Sequence, residues 1–196
     1  AAKEMGLKVA VSGLGGDELF GGYPSFRDIP RWNRYFGMTN FAGPTGSIMR
    51  HIVNRIGTEP LGLSPKAAGM LEYGGTTEGA YLLRRGLFMP WELNGLLDRD
   101  TLRTGLDRLG PVFGVLRALD PAPAGNFAKI ATLESSLYMR NQLLRDTDWA
   151  SMAHSLEVRV PLVDARLLAT IAPAMTAQGA RLGKAHLANS PATPLP

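Results

Sequence analysis

The chain has 196 residues, 45% of them hydrophobic and 19% charged, with 21 Lys and Arg against 17 Asp and Glu for a net charge of +4. That length and apolar content suffice for a substantial buried core, no stretch reaches the apolar length of a membrane crossing, and the chain contains no Cys, so no disulfide framework. With neither such a framework nor a signal-peptide pattern, the expected location is the cytoplasm.

The first informative element is Val9-Ala10-Val11, which predicts a strand over Lys8 to Ser12 opening into the glycine-dense turn Ser12-Gly13-Leu14-Gly15-Gly16-Asp17-Glu18-Leu19-Phe20-Gly21-Gly22-Tyr23. Glycines let backbone N–H groups approach a polyphosphate closely and adopt left-handed conformations. A hard divalent cation bridging phosphate oxygens needs an oxygen ligand such as Asp17 beside them. The loop is no Walker loop, since no G-x-x-x-x-G-K-[ST] occurs, and no standard dinucleotide turn, since Glu18 stands where a third glycine belongs. The plainer reading is a turn whose Asp17 and Glu18 cap the following helix.

Beyond this loop the sequence reads as mainly helical. Ser47 is expected to cap a helix burying Ile48, Ile52, Val53 and Ile56, and Ser64-Pro65 to open a helix through Tyr73. A helix between Asp98 and Gly110 carries the densest basic cluster, Arg99, Arg103 and Arg108, but Asp98, Asp100 and Asp107 alternate with it. That pattern predicts a solvated face, so nucleic-acid binding is a minor hypothesis. From Asn126 to about Asp146, Phe127, Ile130, Leu133, Leu137 and Leu144 recur at helical spacing and predict a core helix. A neighbouring helix over Thr147 to Ser155 follows, with Asp148 either its cap or a polar group near the site.

Between Leu156 and Val160 apolar residues alternate with Glu157 and Arg159, so in extended backbone both charges project to one side, and Pro161 holds Val160 out of helical geometry. The pair reads either as a structural ion pair orienting the turn and helix from Asp164, or, more sharply, as bearing a catalytic base. Residues 189–196 read as a coil tail.

The first loop, together with Asp148-Trp149-Ala150-Ser151-Met152-Ala153-His154-Ser155-Leu156-Glu157-Val158-Arg159-Val160-Pro161-Leu162-Val163-Asp164, resembles the synthetase domain of glutamine-dependent asparagine synthetases. That family shows S-G-x-G-x-D-E-x-F-G-G-Y and then D-x-x-S-M-x-x-S-x-E-x-R-x-P-x-x-D, and both occur here in order. A shorter echo is Gly183-Lys184-Ala185-His186-Leu187, similar to the family's G-K-x-x-L-R with Ala188 in place of the Arg. The resemblance implies an ATP pyrophosphatase fold, a Rossmann-like α/β domain with a parallel sheet, of which this chain retains one or two strands among helices. It implies an enzyme that adenylates a carboxylate with ATP and Mg²⁺, then transfers ammonia or an amine to it with release of AMP and pyrophosphate. Ser12, Gly13, Gly15 and Gly16 are the implied nucleotide-binding residues, Asp17 the metal ligand, and Lys184 and Glu157 the catalytic residues.

Two family elements do not occur in these residues: the S-G-G-x-D-S pyrophosphate loop, and the cysteine-dependent glutaminase that releases ammonia from glutamine. The whole chain, 1–196, is accordingly expected to be the C-terminal portion of a synthetase domain, inactive alone and weak in binding ATP. Absent strands would expose a face, covered by self-association as a homodimer or left partly disordered. Leu14 stands where asparagine synthetases carry Glu and β-lactam-forming relatives carry Tyr. A leucine accepts no proton, so a β-lactam or peptide-macrolactam synthetase, or a non-catalytic binding module, stands as the alternative.

Overall fold

A computed structural model describes residues 2–37, 44–56, 65–110, 114–115, 117–181 and 183–192. In chain order its helices are α1 (Gly16–Phe20), α2 (Ser25–Phe36), α3 (Pro44–Ile56), α4 (Met70–Tyr73), α5 (Thr77–Arg85), α6 (Arg99–Leu109), α7 (Asn126–Leu133), α8 (Leu144–Met152), α9 (Ala165–Gln178) and α10 (Lys184–Ala188). Two strands, β1 (Val9–Val11) and β2 (Glu157–Arg159), join these helices, together with short 3₁₀ turns and a π-helical stretch, among the described residues. The fold is therefore mainly α with a small parallel sheet, as expected. None of the described helices is long and apolar enough to cross a membrane.

The chain divides into two compact units, Ala1–Phe26 with Pro121–Pro196, and Arg27–Asp120. In the first, β1 and β2 pair in parallel with Val9 opposite Glu157, Ala10 opposite Val158 and Val11 opposite Arg159. The ladder continues at both ends, where Glu157 N donates to Lys8 O at 2.9 Å and Ser12 N to Arg159 O at 2.8 Å. Parallel strands require a long crossover, and the pairing places the two sequence motifs side by side although most of the chain separates them. The sheet has open sides: Val9 is 41% and Val11 75% exposed, and Trp149 and Met152 on α8 are also exposed.

Leu19 and Phe20 of α1 anchor the core of this unit with Ala131 of α7 and Met175 of α9, packed around by Phe26, Phe127, Leu162 and Ile171. The helix α1 is held between two left-handed glycines, Gly15 at φ 94° and Gly21 at φ 66°. A Cβ on Gly15 would stand 3.0 Å from both Leu162 O and Val163 Cγ2. Gly15→Ala therefore meets backbone strain and a crowded wall together, and is expected to lower unfolding free energy by at least about 1–2 kcal/mol, read from the urea midpoint.

The segment Asn126–Met152 differs from expectation. It is one continuous helix, with α7 passing through a π-helical stretch, Glu134–Leu143, into α8, and Leu133 and Leu143 at the junctions both helical. No break separates Asp146 from Thr147, because neither Gly nor Pro interrupts the run. Asp148 is thus no N-cap: it sits inside α8, exposed, and its carbonyl accepts Ser151 Oγ at 3.2 Å. The helix α9 begins as expected, Asp164 Oδ1 accepting from Arg166 N at 2.8 Å and Leu167 N at 2.9 Å.

In the second unit, α6 matches expectation closely. Asp98 Oδ1 caps it through Asp100 N and Thr101 N, Gly110 closes it at φ 46°, Leu102 is buried and Arg99, Arg103 and Arg108 are exposed. The helix α3 does not. It begins at Pro44, ahead of Ser47, and exposes Ile48 at 60% and Ile52 at 47% while burying Arg50. The reason is a partner set distant in sequence: Arg50 Nε donates to Glu72 Oε2 at 2.6 Å, and its guanidinium lies 4.6 Å from the Trp91 ring centre. Ser64 lies outside the described residues; the expected helix through Tyr73 consists of a 3₁₀ turn, Pro65–Gly69, and the short α4.

Candidate functional site

The turn after β1 is shaped by its own hydrogen bonds. Leu14 N donates to Ser12 Oγ at 3.3 Å and Gly16 N to Gly13 O at 3.1 Å, while the Ser12 amide is tied to β2. Asp17 then stands in the first turn of α1, its carboxylate about one-third exposed, and Lys184 Nζ reaches Asp17 Oδ1 at 2.5 Å. Lys184 is the first residue of α10, which packs against α1. A residue from the opening loop and one from the far end of the chain thus meet at one point.

Glycines keep that point open. Gly22 N donates to Asp17 O at 2.9 Å, and a Cβ on Gly22 would collide with the Asp17 carboxylate and come within 2.9 Å of Lys184 Cε. Only glycine leaves room there for the carboxylate and for anything it binds. No cluster of three or more His, Asp or Glu suited to a metal ion occurs among the described residues, so Asp17 is a single carboxylate rather than part of a cage.

Glu18, next in sequence, has a different environment. It is 2% exposed, Tyr23 OH donates to its Oε1 at 3.0 Å, and its Oε2 has no partner among the described residues. Burial raises its pKa above the usual carboxylate value, with the charges of Asp17 and Glu134 acting in the same direction and the backbone and Tyr23 hydrogen bonds opposing them. Burial, then the charge of Glu18, likewise raises the Tyr23 phenol, which stays a donor. Glu134, fully buried on the π-helical stretch, accepts a hydrogen bond from Ser25 Oγ. The Tyr23 ring meets Tyr138 edge-on at 5.8 Å between centres. The sequence pattern implies a capping role for Glu18 and singles out no role for Glu134. The available signal was that Glu134, four residues after Ile130, falls on the apolar stripe of its helix, where a charged side chain needs partners.

Glu157 and Arg159 project to the same side of β2, and Arg159 Nε donates to Glu157 Oε1 at 2.8 Å with both side chains more than half exposed. That hydrogen bond and charge raise the Arg159 pKa. The two expected catalytic residues therefore occupy separate ion pairs, Lys184 with Asp17 and Glu157 with Arg159, while Ser12, Gly13, Gly15 and Gly16 form the turn leading to Asp17.

The family model described as asparagine synthase matches residues 1–180. Curated relatives from Mycobacterium bovis and Mycobacterium tuberculosis, both carrying the provisional name asparagine synthetase (glutamine-hydrolysing), are 29% identical over 167 residues, which cover 83% of this chain and 23% of theirs. The chain thus spans about a quarter of the length of these relatives. No solved structure gives a significant match. A match over nearly the whole chain, carrying both motifs that β1 and β2 bring together, means that the protein belongs to the asparagine synthase family.

Proposed function

We propose that this chain is the nucleotide-facing part of an ATP-dependent amide ligase, which adenylates a carboxylate and passes the acyl group to ammonia or an amine, releasing AMP and pyrophosphate. The observation that carries the reading is the meeting of Asp17 and Lys184 beside the glycine turn. A catalyst of pyrophosphate departure needs an anionic ligand for a metal, a mobile cation and amides facing phosphate oxygens, and those three kinds of group lie here on adjoining elements.

Asp17 fits Mg²⁺: the ion is commonly held by one or two carboxylates with phosphate oxygens completing its shell, and Gly22 leaves space beside this carboxylate. When bound, the metal would neutralise charge on the phosphates. The hydrogen bonds that shape the turn use the amides of Ser12, Leu14 and Gly16, so the nucleotide would lie against those of Gly13 and Gly15. Lys184, with its side chain 63% exposed, is free to exchange its carboxylate partner for an anionic reaction centre. Glu157 stands as a supporting residue on β2. In the whole protein, glutamine or free ammonia supplies the nitrogen, and the setting is cytoplasmic.

Leu14 favours a second reading within the same chemistry. It is half-buried in the turn and carries no proton acceptor, so the acceptor acid is either aspartate activated without a base at this position or a larger acid, as in β-lactam or macrolactam formation. The test is pyrophosphate release from ATP by the complete gene product with Mg²⁺ and a panel of carboxylates. Release that depends on one acid class is expected and names the substrate. Absence of release with every acid supports a non-catalytic binding module instead.

A further inference from the structure

A pocket of about 370 Å³ lies wholly within the second unit, where α3 supplies Arg50 and His51, α4 ends in Tyr73, and the segment after α5 supplies Pro90, Trp91 and Asn94. None of these residues belongs to the glycine turn or to the second motif. The Arg50 guanidinium is fixed on several sides: Nε donates to Glu72 Oε2 at 2.6 Å, Nη2 donates to Ser47 Oγ at 3.2 Å, and the group lies 4.6 Å from the Trp91 ring centre. An arginine held this way has already lost its rotamer freedom, so a ligand meets a preorganised fork. Nη1 has no partner among the described residues. The one buried side-chain atom without a partner among those residues is Glu18 Oε2, so Nη1 is reachable rather than enclosed.

The chemistry of the wall decides the ligand. Glu72 balances the guanidinium without lining the pocket, and among the described residues no carboxylate lines it. Burial, and then the charge of Glu72, raises the Tyr73 phenol, so the aromatic wall stays neutral. Asn94 adds an amide donor, and His51, whose Nδ1 donates to the Ser47 carbonyl at 2.8 Å, presents Nε2 as a further donor whenever its imidazole is charged. Planar N–H donors of this kind match a carboxylate. The rings of Tyr73 and Trp91, 5.7 Å apart between centres and tilted by 41°, offer faces suited to a flat ring. A bare inorganic anion would leave those faces in water, and a neutral ring would leave Nη1 unmatched. We propose that this pocket binds an aromatic carboxylate, its carboxylate against Arg50 Nη1 and Asn94 and its ring against Tyr73 and Trp91.

The pocket shares no residue with the ligase reading, so its test uses neither ATP nor magnesium. The chain is titrated with sodium benzoate by calorimetry and thermal shift, with sodium acetate, benzyl alcohol and benzylammonium chloride as controls at matched concentration. Saturable binding and a raised melting temperature are expected with benzoate alone. Arg50→Lys keeps the charge facing Glu72 but loses the planar fork, and is expected to weaken benzoate binding about tenfold or more. Asn94→Ala, at an exposed position, is expected to weaken it about two- to tenfold and decides the matter should the first variant fail to fold. An equal response to acetate, benzyl alcohol or benzylammonium, no saturable response to benzoate, or unchanged affinity in the folded variants would each overturn the proposal.

Discussion

Asp17→Ala in the complete gene product is expected to lower carboxylate-dependent pyrophosphate release by at least about 10²-fold, the scale seen when one preorganised electrostatic group is removed from a reacting centre. The fold should persist. Asp17 is partly exposed on a short helix whose burial is carried by Leu19 and Phe20, and its ion pair is open to water on the Lys184 side; solvated pairs contribute about 0–1 kcal/mol. Circular dichroism and the melting temperature should therefore stay close to wild type while turnover collapses. Asp17→Asn separates charge from shape: the amide keeps an acceptor oxygen at the same place but loses the negative charge a metal requires, so it should track the alanine variant. Activity retained in both would remove Asp17 from the metal site, whatever became of the family assignment.

The legibility of the fold followed the range of the interactions that build it. β1 and the helix α6 are local: an apolar triplet ending in glycines, and Asp98 and Gly110 bracketing a helical run, hold their own signals. The burial of Arg50 depends on Glu72 and Trp91, partners that nothing near Ser47 announces, so apolar spacing alone selected the wrong face of α3. The continuity of Asn126–Met152 was hidden for a different reason. Thr147 and Asp148 look like a boundary, yet a helix already propagating with apolar anchors absorbs two weak formers at modest cost.

At the site, motif order foretold that Asp17 and Lys184 belong to one region but not that they touch. The sharper failure concerns Asp17 and Glu18, which are equivalent as text. Successive helical residues point about 100° apart, so α1, by burying Leu19 and Phe20, turns one carboxylate inward against Tyr23 and leaves the other facing Lys184. Which of two adjacent acids faces solvent is settled by the core, and Glu134 is part of that same core rather than of either motif.

That dependence makes Leu19→Ala the most damaging core change expected near the site, with a loss of about 2–5 kcal/mol. Leu19 is 4% exposed and packs with Phe20, Ala131 and Met175. It also separates two cavities, of about 210 and 270 Å³, lining both. Truncation would join them, and walls already held apart by the long helix and α9 have little room to collapse, which places the cost in the upper half of the range. A five-residue helix has no stability of its own, so α1 keeps its orientation only through such contacts, and loosening it swings Asp17 away from Lys184. Urea denaturation should show the lost stability, and turnover at a temperature where the variant remains folded should fall as well. Stability lost with turnover intact would mean that Asp17 is positioned by the flanking glycines alone, and unchanged stability would mean that Leu19 does not anchor the core.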